Sequence, residues 1–269
     1  MYLWGRNLGL TINTSGIFGN SVSISQVNTV NSKYGAGFNL ANGNQTANGS
    51  LTTSVDSNYY LAVSSDPNWR VLSGTLNNVN REPVRLAISS VTGLGYIKSL
   101  SFSLTPHSLV NANVSYVNYE NMTGTLGESY TANTYAFGIN ERAANGASVY
   151  ILNKDGVRVK VYSIEYSASI NWEPKYRIGQ KTPYAVNFIK GEENITIELD
   201  EYDCLSFYGD SISTGFLGSG TAIHLRNLST TGGANTFHIN IHNTTVNSIE
   251  SSFNPTDIVK HKYKFTKYY

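Results

Sequence analysis

The chain has 269 residues, a net charge of +1 and a charged fraction of 14%. That length holds one large or two ordinary domains, and so even a charge balance gives no global basic field with which to recruit nucleic acid. The charged fraction is low against a usual figure of about 25%, whereas 24 Gly, 19 Tyr and abundant Asn, Ser and Thr make a surface that is polar without being charged.

Taken in order, Leu8 to Asn13 and Val22 to Val30 come first. In the second run Val22 and Ile24 alternate with Ser21, Ser23 and Ser25, the mark of a half-buried strand. Residues 33–49 are dominated by Gly and Asn, which tolerate positive φ, so they read as a long hairpin tip carrying Asn42, Gly43, Asn44, Asn48 and Gly49. Leu51 to Val55 and Tyr59 to Val63 are further strands. Asp66-Pro67 predicts a helix start with Asp as N-cap and Pro as first residue. Val84 to Ile88 is another strand, and residues 121–147 lack any sustained period and read as a linker.

The second half opens with Val149 to Leu152, a turn at Asn153 to Gly156 and Val157 to Tyr162, a hairpin signal. Tyr162 to Trp172 alternates as a long strand, followed by an expected break at Glu173-Pro174 and a loop around Gly179. Ile195, Ile197 and Leu199 then alternate with Thr196, Glu198 and Asp200. No segment has the pattern of a long amphipathic helix.

The last stretch, residues 246–269, repeats residues 97–120 without a gap at an offset of 149. Ser99, Ser103, Pro106, Val110 and Tyr119 recur as Ser248, Ser252, Pro255, Val259 and Tyr268, while Ile97/Val246, Leu100/Ile249, Leu104/Phe253 and Tyr116/Phe265 keep their character. In each copy a proline, which has no N–H to donate, divides two strand-like runs. Residues 51–56 match 195–200 in the same way at an offset of 144. The expected fold is mainly β: two tandem sandwich-like or barrel-like domains related by internal duplication, at 1–120 and 148–269, joined by 121–147. Ile97, Leu100, Leu104, Pro106, Val246, Ile249, Phe253 and Pro255 mark the repeated core and assembly strands.

A single Cys204 excludes a framework of intramolecular disulfides, and no apolar run approaches the roughly 18 residues of a membrane-spanning helix. The start MYLWGRNLGL lacks the basic and apolar regions of a signal peptide, so assembly in a cytoplasm is expected.

Few residues suggest chemistry. Leu205 to Gly215 reads LSFYGDSISTG and resembles the first block of the GDSL hydrolases, which would make Ser211 a nucleophile assisted by Gly233 or Asn235. Only 58 residues follow Ser211, and Asp257 and His261 stand four apart where that family has three. At offset 144 the serine falls on Pro67, so a strand ending in a capping Asp explains both copies. His238 and His242 share a strand face but lie about 13 Å apart, too far for one ion, and nothing fixes His224 near either. Neither a metal nor a cofactor is expected, and the chain reads as a non-enzyme. Tyr59, Tyr60 and Trp69 are the candidates for stacking on carbohydrate in a binding or adhesin-type module, and the plainer reading puts them in the core.

The acidic cluster Glu192, Glu193, Glu198, Asp200, Glu201 and Asp203 reads either as a solvated strand face or as a channel lining, with Glu198 and Asp200 matched by Ser54 and Asp56. A wall that passes DNA without holding it benefits from being neutral or negative, since basic walls bind phosphates. Lys260, Lys262 and Lys264 alternate along the last strand, where they meet an acidic neighbour or protect an edge.

The alternating run Val157 to Trp172, the Glu173-Pro174 break with its Gly179 loop, the strand Asn194 to Asp200 and the closing pair of strands around Pro255 together resemble the phage tail tube proteins and related tail-hub and baseplate proteins. The resemblance implies a virion structural protein assembled in the host cytoplasm. It would form a homo-oligomeric ring round a central channel, with sheet edges paired between subunits and neighbouring tail proteins above and below. It further implies that two tube domains in one chain make a threefold ring with pseudo-sixfold symmetry, and that residues 33–49 contact the next ring.

Overall fold

Period-two alternation carries most of the chain into strands, and the computed structural model is mainly β, with fifteen strands and one helix among the described residues. It describes residues 10–17, 19–34, 44–61, 66–105, 111–124, 150–152, 158–178, 180–200, 222–226, 236–240, 245–252 and 259–269. The first half supplies β1 (Leu10–Ile12), β2 (Ser15–Gly16), β3 (Gly19–Tyr34), β4 (Asn44–Tyr60), α1 (Pro67–Leu76), β5 (Val84–Ile88), β6 (Val91–Leu104) and β7 (Asn111–Asn118). The second supplies β8 (Tyr150–Leu152), β9 (Arg158–Lys160), β10 (Ser163–Lys175), β11 (Ala185–Asp200), β12 (Ala222–Arg226), β13 (Thr236–Asn240), β14 (Thr245–Ser252) and β15 (Lys260–Tyr268).

Eight strands lie side by side, each antiparallel to the next, in the order β3-β4-β7-β6-β10-β11-β15-β14. β5, β1 and β2 branch from the opening residues of β6, and a separate sheet runs β9-β8-β12-β13. The two halves share one plan. The order β3-β4-β7-β6 recurs as β10-β11-β15-β14, and β2-β1-β5-β6 recurs as β9-β8-β12-β13. The repeated hairpins agree pair for pair. Tyr96 opposite Val117, Ile97 opposite Tyr116, Ser99 opposite Ser115 and Leu100 opposite Val114 fall on Thr245 opposite Thr266, Val246 opposite Phe265, Ser248 opposite Lys264 and Ile249 opposite Tyr263. Each hairpin also slips by one residue at the same place, Lys98 in one and Asn247 in the other.

That register corrects the match of the neighbouring strands. Tyr116 pairs with Val55 and Phe265 with Ile195, so β4 and β11 correspond at an offset of 140, not 144. A slip of four residues keeps every side chain on its own face, so alternation alone does not separate the two offsets. Two other expectations are corrected. β3 and β4 stay paired as far as Tyr34 opposite Asn44, so residues 33–34 and 44–49 are strand and not loop, their backbone groups satisfied by the ladder whatever the side chains prefer. β10 runs on through Glu173 and Pro174 to Lys175, the ladder slipping by one residue of β11 between Asn171 and Trp172 rather than ending at the proline. Its pairing with β6 ends at Ser169 opposite Ser99, so the far side of β10 is open at Pro174 and the missing N–H leaves no partner orphaned there.

One hydrophobic cluster runs through both halves, from Leu10, Leu86 and Tyr116 to Tyr166, Ile197 and Phe265. The helix begins as the sequence predicts: Asp66 is the N-cap, Pro67 the first residue, and Asp66 Oδ1 accepts from Trp69 N–H at 2.9 Å. Leu72, Thr75 and Leu76 are its buried side. The helix comes so near β11 that a Cβ on Gly191 would stand 2.4 Å from Leu76 Cδ2. Just beyond it, the Arg81 guanidinium lies 3.7 Å from the centre of the Phe188 ring. Trp172 Nε1 donates to the Ile97 carbonyl at 2.7 Å, so first-half residues brace the β10–β11 hairpin where it outruns its neighbours.

Candidate functional surface

One face of the eight-stranded sheet covers the core, and the other is polar from side to side, mostly hydroxyl and amide in the first half and bearing Glu165, Glu192, Glu198, Lys262, Lys264 and Glu250 in the second. Ser23, Asp56, Ser115, Ser99, Ser169 and Glu192 stand in one register row across six strands. Two shallow polar troughs lie on it. One is lined by Ser101, Asn113, Glu165, Ser167, Asn194 and Lys264, the other by Ser21, Asp56, Asn58, Ser99 and Ser115.

Ser54, Asp56 and Glu198 all belong to this polar face, and Asp200 ends β11 opposite Lys260. Glu198 accepts from Ser163 Oγ at 3.2 Å and pairs with Lys260 Nζ at 3.3 Å. Its direct partner across β15 is Lys262, which has Glu250 on its other side. Lys260 and Lys262 therefore meet acidic neighbours, whereas Lys264 stands between Thr196 and Ser248. β15 lies between β11 and β14, so of the two roles expected for them edge protection does not apply. At the corrected offset the Glu198 and Lys262 positions correspond to Asn58 and Asn113, where Asn58 Nδ2 donates to Asn113 Oδ1 at 2.8 Å.

Glu193 departs from the solvated acidic face. It is in phase with Ile195, Ile197 and Leu199, is only 6% exposed, and accepts from Tyr166 Oη at 2.6 Å and from Tyr269 Oη. The period-two pattern already carried that signal. Tyr59 is likewise a core residue, and Trp69, partly buried, packs against the core. Tyr59 is fully buried with its hydroxyl donating to Asp66 Oδ1 at 3.1 Å, and Trp69 packs edge-on to Tyr166 with ring centres 5.3 Å apart. Tyr116 Oη donates to Asn68 Oδ1 at 2.7 Å. Burial raises the Tyr59, Tyr116 and Tyr166 hydroxyls well above the usual phenol range, and Asp66 adds to the effect for the first two and Glu193 for the third.

Of the repeated strand residues, Ile97, Leu100 and Leu104 are buried in the core, Ile249 packs against it, and Val246 lies in β14; Pro106, Phe253 and Pro255 lie outside the described residues. Asn44, Asn48 and Gly49 are in β4, whereas Asn42 and Gly43 lie outside the described residues. So do Ser211, Gly233, Asn235, Asp257, His242, Glu201 and Asp203. His261 is buried in β15 with Nδ1 2.7 Å from Ser251 Oγ, and His224 and His238 are register partners across β12 and β13. No group of three metal-binding side chains occurs among the described residues, and no helix there is long and apolar enough to cross a membrane. The chain matches no known family model and no curated protein.

Proposed function

We propose that the protein is a structural component of a phage tail, of the tube or tail-hub class, that assembles with copies of itself round a central channel. The observation that carries this reading is the junction between the halves. Each half is a four-stranded set of the same order, and the last strand of the first set, β6, pairs with the first strand of the second, β10, from Leu104 opposite Ile164 to Ser99 opposite Ser169. The same two kinds of edge are open at the ends of the sheet. Among the described residues β3 has only β4 beside it, and β14 only β15.

Both edges carry β-bulges, at Gly19–Ser21 and Asn28–Val30 in β3 and at Val246–Ser248 in β14, but between these bulges they hold little charge against pairing. From Gly19 to Val30, β3 has no charged residue and no proline, and β14 has Glu250 alone. Copies joined β14 to β3 would continue the sheet with two equivalent tube domains in each chain, the duplication read from the sequence. The core face would then be the outside of the wall. The polar face bearing Ser54, Asp56 and Glu198 would line the lumen, and its lysines Lys260, Lys262 and Lys264 are concentrated on β15, so a passing polyanion would meet cations mainly along that strand.

The test is the mass of the purified chain in solution together with negative-stain images of the same sample. Rings or stacked tubes are expected, with threefold symmetry for a hub. A monomer that persists at high concentration overturns the reading.

A further inference from the structure

If copies close into the ring proposed for this chain, a condition on which the inference rests, the junction inside the chain also specifies the junction between chains, and the two differ in strength. Register fixes the equivalences: Tyr166 pairs with Ile195 and Ile195 with Phe265, while Ile24 pairs with Val55 and Val55 with Tyr116. Since Tyr116 and Phe265 occupy the same place in the repeated hairpins, Ile24 is the counterpart of Tyr166. Phe102 likewise has Ser251 as its counterpart at offset 149. Transferred to the open edges, the β6–β10 register sets Ser23 of one copy opposite Ser252 of the next, Ile24 opposite Ser251, Ser25 opposite Glu250 and Gln26 opposite Ile249.

On the core face the internal junction is apolar at each of these places. Tyr166 stacks on Phe102 with ring centres 5.0 Å apart, and Ala168 faces Leu100. At the open edges Ile24 and Ile249 would each meet a polar residue, while Val22 would meet Phe253, which lies outside the described residues, so one apolar pair remains where the internal junction has three. Ile24, 36% exposed, would face Ser251, whose hydroxyl is engaged by His261, and Ile249 would face Gln26, whose amide is engaged by Thr53. An aromatic pair contributes beyond the area it buries, and here it is absent.

We propose that the seam between copies is β14 against β3 in this register, and that Ser251 and Ile24 make it a weaker copy of the Phe102–Tyr166 junction, so that copies part more readily than the two halves of one chain. The partner is a second copy of this chain.

Two experiments test it. In a Cys204→Ser background, Ser23→Cys with Ser252→Cys is oxidised directly to a disulfide, which only directly opposed positions can form, and Ser21→Cys with Ser252→Cys is the out-of-register control. The first pair is expected to link copies into closed multimers and the second to remain largely unlinked. Separately, Ser251→Phe with Ile24→Tyr restores the aromatic junction. It should lower the concentration at which copies associate by at least about tenfold, whereas Ser251→Ala should not. Association by the wild type that the aromatic pair leaves unchanged overturns the weak seam and leaves the ring reading in place. Multimers linked by the control pair and not by the first overturn the register alone. Failure of both the wild type and the aromatic variant to associate, together with unlinked cysteine pairs, overturns the ring reading itself.

Discussion

Asn58 and Asn113 form a neutral side-chain amide pair at 2.8 Å in the same place on the sheet where the second half sets Glu198 across from Lys262. One backbone arrangement thus accommodates a hydrogen-bonded amide pair and a facing acid and base, the Glu198 carboxylate making its ion pair with Lys260, next on the same face of β15. Replacing Glu198 and Lys262 together by Asn is expected to change unfolding free energy by less than about 1 kcal/mol, because a part-exposed ion pair contributes little net. Urea unfolding at low and high salt checks this: the wild type should show a salt dependence that the double variant loses.

Asp66 holds two groups at once, the Trp69 amide at the start of α1 and the buried Tyr59 hydroxyl. Asp66→Ala removes a helix cap, at about 1 kcal/mol, and leaves a buried hydroxyl without its acceptor, at about 1–3 kcal/mol. A loss of about 2–4 kcal/mol in chemical denaturation is expected, with Asp66→Asn losing less because an amide oxygen still caps.

The buried tyrosines set an alkaline limit. Tyr59, Tyr116 and Tyr166 are raised above the unfolded value of 10.0, first by burial and then by Asp66 or Glu193. A group raised on folding contributes stability that is fully present below its unfolded pKa of about 10 and is lost as pH rises beyond it, because the unfolded chain ionises first. Stability should be flat with respect to these groups between about pH 7 and 9 and fall above pH about 10. Ultraviolet absorbance of phenolate should show exposed phenols ionising in the native protein and these three only together with unfolding.

Gly191 leaves room for Leu76, so the helix of the first half docks on a strand of the second through a position without a side chain. Gly191→Ala is expected to cost about 1–3 kcal/mol by overpacking. Combined with Leu76→Ala, the loss should be smaller than the sum of the two single losses, a coupling that a double-mutant cycle measures directly. Additive losses would place the helix elsewhere.

Much of this architecture was legible in the sequence, and the exceptions share causes. Alternation located β3, β5, β10 and β11, and Asp66-Pro67 located the helix, because both signals are local. The repeat around Pro106 and Pro255 foretold two hairpins, and their shared slip at Lys98 and Asn247 shows that the match reaches the hydrogen-bond register. Pro174 and the Gly- and Asn-rich residues 44–49 misled, since a ladder supplied by a neighbour overrides what those residues prefer alone. Glu193 shares its charge with Glu192 and Glu198 but its phase with Ile195, and the phase decides its place inside. The four-residue error in matching β4 to β11 came from a pattern blind to even slips.

The parity of the long sheet has a consequence of its own. With eight strands alternating in direction, its two outermost strands, β3 and β14, run opposite ways. Copies standing the same way up therefore present antiparallel edges to one another, and simple rotation about a single axis brings them together with no copy inverted. An odd count would have required a parallel seam or an upside-down neighbour. The same parity puts the β3–β4 and β10–β11 tips at one rim and the β6–β7 and β14–β15 connections at the other, so any layer built from this chain has a front and a back.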